Sequence, residues 1–184
     1  MPRRSAPQAP LPVSRLASFA EVRDRATDAI AGAQRRVYLH GRAQELKALS
    51  EAVEASTQRG VEYVIVHFGP LPFAKPPGQV VRHTSTEGTL YASREARHLA
   101  VEVDSGWSLW ALARDGRTWE GMCCDEPLVA SLVKAYIRHD LFVQRIYADR
   151  PATLEELYGP GLLALADLSG ARDDHEDEID EGAG

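Results

Sequence analysis

Cysteine is almost missing from this sequence: two of 184 residues, Cys123 and Cys124, and they are adjacent. Adjacent cysteines bridge only with strained geometry. No Cys-x-x-Cys occurs, so neither a disulfide framework nor a zinc site is implied. Reduced thiols fit a cytoplasmic protein. No apolar run approaches the roughly 18–20 residues that span a bilayer, so no membrane partner is expected. Met1 to Arg15 lacks the solid apolar stretch of a signal peptide. Gly-x-Ser-x-Gly is absent, which removes the nucleophile elbow. The phosphate-loop and dinucleotide glycine patterns are absent too. No helix carries two histidines four residues apart, so no metal is expected, and no cofactor. Lysine is scarce, 3 against 18 arginines, which reads as coding bias and not as a site.

What is present suits one domain with tails. The composition is 44% hydrophobic and 26% charged, enough apolar residues for a core. The formal charge is −6, from 27 acids and 21 Lys/Arg. Seven of those acids lie between Arg172 and Gly184 with one base, so the body carries 20 of each sign. The net charge therefore belongs to the tail. Residues 1–15, with Pro2, Pro7, Pro10 and Pro12, read as a disordered arm. Residues 16–168 form the α/β domain, and 169–184 a solvated acidic tail.

Ser18 and Glu21 make a capping box, and the apolar spacing behind them predicts a helix over 18–33. Residues 36–40 are a short strand and 43–58 a second helix, with Gly60 placed for a C-terminal cap. Val61 to Phe68 is almost continuously apolar, as in a strand covered on both faces. Strand, helix and strand make a right-handed βαβ unit with parallel strands. A Pro-rich loop follows over 69–78, then a strand over 79–84; residues 85–96 give no clear signal. Alternation predicts a half-exposed strand over 99–104, paired with 107–113 in a hairpin, and 119–123 adds a last strand. Pro127 opens a long helix with a wide apolar face, which packs on the sheet or is shared with a second copy. Pro151 ends it, and Thr153 with Glu156 caps a short final helix.

Several polar groups stand out against this background. Strand alternation places His98, Ala100, Glu102 and Asp104 on one face, suited to acid–base chemistry or metal binding, or to a solvent-facing sheet edge. Arg82 and His83 lie on a strand, and Arg138 and His139 on the long helix. The two arginines could fork onto an anionic or hydroxyl-rich ligand, or bridge to Asp140 or Glu102. Trp107, Trp110 and Trp119 are core residues or a stacking platform for a sugar.

The run Val80-Val81-Arg82-His83, the hairpin His98–Ala113, and Asp125-Glu126-Pro127-Leu128-Val129 leading into Ala135–Phe142 resemble the effector domain of TrmB-type transcriptional regulators. The helix-strand-helix-strand start agrees, and the resemblance covers roughly Leu16 to Tyr147. It implies a phospholipase D-like α/β fold, a mixed sheet flanked by helices, present as a single degenerate repeat. Catalytic members of that superfamily carry His-x-Lys-x4-Asp. Here His98 is followed by Ala100 in the lysine place and Ser105 in the aspartate place. A histidine nucleophile needs a cation on the phosphoryl oxygens, so the resemblance implies a domain that is not an enzyme, with no catalytic residue. Only about 15 residues precede the first helix, too few for a helix-turn-helix, so no direct nucleic-acid contact is expected.

The sequence thus points to a regulatory, ligand-sensing domain acting through a small sugar-like molecule or a protein, as a homodimer, with a separate DNA-binding protein as a further partner. Arg82, His83, His98, Glu102, Arg138 and His139 are the expected ligand-binding residues. A phosphodiesterase-like hydrolase and a protein-interaction adaptor are the alternatives.

Overall fold

The computed structural model describes residues 12–84 and 96–166. The expectations for the extreme N-terminal arm, for 85–95 and for the acidic tail fall outside the described residues. Ser18 starts the first helix, its hydroxyl accepting the Glu21 N–H at 3.2 Å, while the Glu21 carboxylate accepts the Ala17 N–H at 2.7 Å. Together they satisfy two of the donors a helix start leaves over. Gly60 follows the second helical stretch with φ +89°, a conformation that costs a residue with a Cβ and not glycine.

The elements run β1 (Val13–Leu16), α1 (Phe19–Gly32), β2 (Arg36–Arg42), α2 (Ala43–Lys47), α3 (Ser50–Gln58), β3 (Glu62–Phe68), β4 (Gly78–Arg82), β5 (Arg97–Val103), β6 (Trp107–Ala113) and β7 (Glu120–Cys124). Then come α4 (Pro127–Asp149), α5 (Pro151–Tyr158), a 3₁₀ turn and α6 (Leu163–Ala166). One seven-stranded sheet has the order β1-β7-β6-β5-β2-β3-β4. β2, β3 and β4 pair in parallel, and the remaining pairs are antiparallel. The mixed sheet flanked by helices is the expected fold class.

Three details differ from the sequence reading. Val13–Leu16 is an edge strand on β7 and not part of an arm. The helix over 43–58 is two pieces, α2 and α3, broken at Ala48–Leu49. The last helices begin at Pro151, with Arg150 as the cap in place of Thr153.

Two cores result. On one face α1, α2 and α3 bury Val22, Ile30, Leu46 and Val53 against Val37, Leu39, Ile65 and Leu99. On the other, Val133, Ile137 and Leu141 of α4 close over Tyr38, Val66 and Ala100. β5 is therefore buried on both sides, and the half-exposed strand expected there is not found. The α4 side places histidines and acids under a helix, and this positions the site. The far side of α4 stays open, with Leu128 at 70%, Leu132 at 65% and Ile146 at 58% exposure.

Candidate functional site

A polar cluster lies between α4 and the ends of β2, β4 and β5. Alternation turns His40 of β2 and His98 of β5 to the α4 face, where Asp140 comes down from the helix. His40 is fully buried and His98 is 2% exposed. His40 Nε2 donates to Asp140 Oδ2 at 2.8 Å, and His40 Nδ1 faces His98 Nε2 in a hydrogen bond. A carboxylate only accepts, so Asp140 holds a proton on His40 Nε2. His40 Nδ1 then accepts from His98 Nε2–H. The relay leaves the His98 lone pair on Nδ1. Burial, with His40, Arg42 and His83 adding to it, holds His98 well below the ordinary imidazole range, so the ring is neutral.

The surroundings hold this geometry. His83 Nε2 lies 3.9 Å from Asp140 Oδ2, and its ring stacks on Phe68 at 4.5 Å. Phe68 meets His98 edge-on at 5.7 Å, and Tyr136 meets His40 at 5.1 Å. Gln144, itself buried, accepts the Thr84 N–H at 2.8 Å and ties the end of β4 beneath α4.

Of the expected residues, His83 and His98 come together in this cluster. Glu102 lies on the same face at the other end of β5. It is buried at 1% exposure, against the reading of a solvent-facing edge, because α4 covers that face. Burial pushes its carboxyl up from the ordinary range, and the Ser105 N–H donates to it. Lys134 Nζ donates to Ser105 Oγ at 2.9 Å above the Tyr38 ring. Arg82, Arg138 and His139 are exposed, and Arg138 lies over Phe142 at 5.5 Å. Asp140, one proposed anchor for the arginines, goes to His40. Asp104 accepts the N–H groups of Gln34, Arg35 and Arg36 at 2.7–2.9 Å and staples the turn before β2. The tryptophans do not form one platform: Trp107 and Trp119 pack on the α1 core and Trp110 on the α4 core.

His40, Asp140 and Phe68 were not among the expected site residues. One signal was available, since the two parallel strands carry His40 and His67 close to their C-terminal ends. Among the described residues, no group of three or more His, Cys, Asp or Glu is arranged to hold a metal ion.

No protein-family model matches the sequence. No curated protein matches it either. Solved structures do share its fold. TrmBL2, described as an archaeal chromatin protein with a novel mode of DNA binding, matches with TM-score 0.51 and 12% identity over 69% of this chain and 50% of that one. The chain thus spans half the length of TrmBL2. NucT from Helicobacter pylori matches with TM-score 0.50 and 11% identity, over 72% of this chain and 96% of that one. Nuc from Salmonella typhimurium, a phospholipase D family member, gives 0.49 and 12% over 72% and 95%. The fold is phospholipase D-like. These neighbours include phospholipase D family proteins, which are enzymes, and this overturns the expectation that the chain is not an enzyme. That expectation rested on Ala100 standing in the lysine place. It took no account of the acid–histidine relay that the fold assembles behind His98.

Proposed function

We propose that this chain is a phosphate-ester hydrolase domain whose reacting group is His98. The observation that carries the reading is the Asp140–His40–His98 relay, which presents a neutral imidazole with its lone pair on Nδ1. Such a ring attacks phosphorus: an N–P bond forms, the ester O–P bond breaks, and the leaving oxygen takes a proton from water. A second water then cleaves the N–P bond, leaving a phosphomonoester and a neutral ring. Asp140 acts through His40 by holding the tautomer. The test is turnover of a generic aryl phosphodiester. Wild-type turnover lost in His98→Ala supports the reading; no wild-type turnover, or equal rates in His98→Ala, retires it.

A second reading, a ligand-binding regulatory domain of the TrmB type, is favoured by Ala100 in the lysine place and by the 2% exposure of His98. Its ligand is sugar-like or phosphorylated, and it acts by population shift between arrangements of a homodimer. A thermal-shift screen over sugars, sugar phosphates and nucleotides separates the two: stabilisation by a sugar without phosphodiester turnover selects the second. The buried thiols of Cys123 and Cys124 suit a cytoplasmic setting for either. No helix among the described residues is long and apolar enough to cross a membrane.

A further inference from the structure

We infer that the groove between α4 and the first residues of β3 and β4 is a binding site for a small phosphate-bearing anion, held by Arg138 and Arg145 with Lys134 beside them. The site is separate from the proposed reacting centre, and the inference does not depend on turnover at His98.

Lys134, Arg138 and Arg145 stand at positions i, i+4 and i+11 of α4, on one face of the helix. That face looks onto a cavity of about 710 Å³, whose sheet side is formed by Tyr38 of β2, Val64 of β3 and Gln79 of β4. The volume falls within the range of small-molecule sites. Gly60 and Gly78 line the groove without side chains. Tyr38 precedes His40 by two residues on the same strand face, so the groove borders the histidine cluster on the side where the parallel strands begin.

Charge decides what the groove takes. Its lining holds four cations, Arg36, Lys134, Arg138 and Arg145, against one acid, Glu62. Arg36 Nε donates to Glu62 at 2.8 Å, so that pair cancels. Lys134 Nζ donates to Ser105 Oγ at 2.9 Å, 5.3 Å from the Tyr38 ring, and its charge is partly met by the buried Glu102. The surplus therefore rests on Arg138 and Arg145, and the partners of both are neutral. Arg138 lies over Phe142 at 5.5 Å. Gln79, in the amide orientation that satisfies both groups, accepts from Arg145 Nε at 3.2 Å and Nη1 at 3.3 Å. Neither arginine is in an ion pair among the described residues. Such partners hold a guanidinium in place without cancelling its charge, which lowers the ordering cost of binding an anion. Two forks and an ammonium offer donors from three directions. A tetrahedral phosphate uses all three, whereas a planar carboxylate is satisfied by one fork.

The test titrates the whole chain with inorganic pyrophosphate by calorimetry, at an ionic strength held constant with chloride, and with citrate in parallel. Saturable binding of pyrophosphate, tighter than that of citrate, is expected in wild type. Arg138→Ala and Arg145→Ala should each weaken it about tenfold, and Arg145→Lys should recover part of the loss. Gln79→Ala keeps the net charge but releases Arg145, and should weaken binding severalfold. Arg117→Ala, on the exposed turn between β6 and β7, removes the same charge and should leave binding unchanged. His98→Ala should bind as wild type does, which separates this groove from the reacting centre. The inference is overturned by no pyrophosphate binding beyond the chloride control, by equal binding in Arg138→Ala and Arg145→Ala, or by a loss in Arg117→Ala or His98→Ala as large as theirs. Citrate binding as tight as pyrophosphate overturns the choice of a phosphate. Arginine-dependent binding without phosphodiester turnover would leave the groove standing and retire the hydrolase. Turnover without such binding would do the reverse.

Discussion

Glu102 shows what a single burial does to a charge. Its carboxyl is covered by α4, accepts the Ser105 N–H on one oxygen, and has no partner on Oε2 among the described residues. Burial raises its pKa above 4.5, so the folded state holds the proton to higher pH than the unfolded state does. The sign follows: stability falls as pH rises from about 4.5 through the folded value, and the full loss is present above it. Glu102→Gln keeps an acceptor for Ser105 and removes the charge. It should unfold at a higher temperature than wild type at pH 7, and the gap should close below pH 4.5. A constant gap across that range would contradict the account. Alternation in the sequence put Glu102 on the same face as His98. It could not show that this face is covered, because the covering helix begins more than 20 residues later. His40 was harder still to see. Its meaning comes from Asp140, 100 positions away, and only the folded sheet brings them to 2.8 Å.

Helix α4 carries two faces at the scale of one element. Ala130, Val133, Ile137, Leu141 and Gln144 are buried on the sheet, while Leu128, Leu132, Phe142, Val143 and Ile146 remain exposed. The exposed set falls into two stretches, Leu128 and Leu132 in the first turns and Phe142, Val143 and Ile146 near the end. The homodimer of the second reading proposed above would cover these apolar residues. Leu132→Glu should then halve the mass seen by light scattering without loss of helix content; a wild-type monomer, or an unchanged dimer in the variant, would contradict the assignment. The sequence made the width of this apolar face visible, because helical period alone reveals it. It also made the βαβ unit legible through the apolar run over 61–68. The break between α2 and α3 was not legible, since neither proline nor glycine marks Ala48–Leu49. The edge strand β1 was hidden beside the prolines that precede it, and its pairing with β7 is a long-range contact that no local pattern announces.

The whole molecule stores buried, uncharged histidine between its sheet and its longest helix. His98 is held below 6.5 in the folded state, first by burial, then by His40, Arg42 and His83. Unfolding frees it to bind a proton at the ordinary value. Stability should therefore be lost as pH falls through 6.5 and on toward the folded value, and be fully present above 6.5. Among the described residues, the groups facing His98 include His40, Arg42, His83, Phe68 and, through His40, Asp140. Replacement by an uncharged residue, His98→Asn, should flatten the stability profile between pH 5 and 6.5 in chemical denaturation. A profile as steep as wild type would place the acid sensitivity elsewhere. The fold itself carries less information about function. Identities of 11–12% to solved structures show a shared architecture, and the chemistry has to be read from the residues it gathers.

The central claim is that Asp140 acts through His40 to present a neutral His98 with its lone pair on Nδ1. Long-range ¹⁵N–¹H NMR of the imidazole rings at pH 7 reads this directly. The account predicts His40 and His98 both protonated on Nε2 alone, with the His98 tautomer lost or mixed in Asp140→Asn. A charged His98, or one protonated on Nδ1 in the wild-type chain, would contradict it.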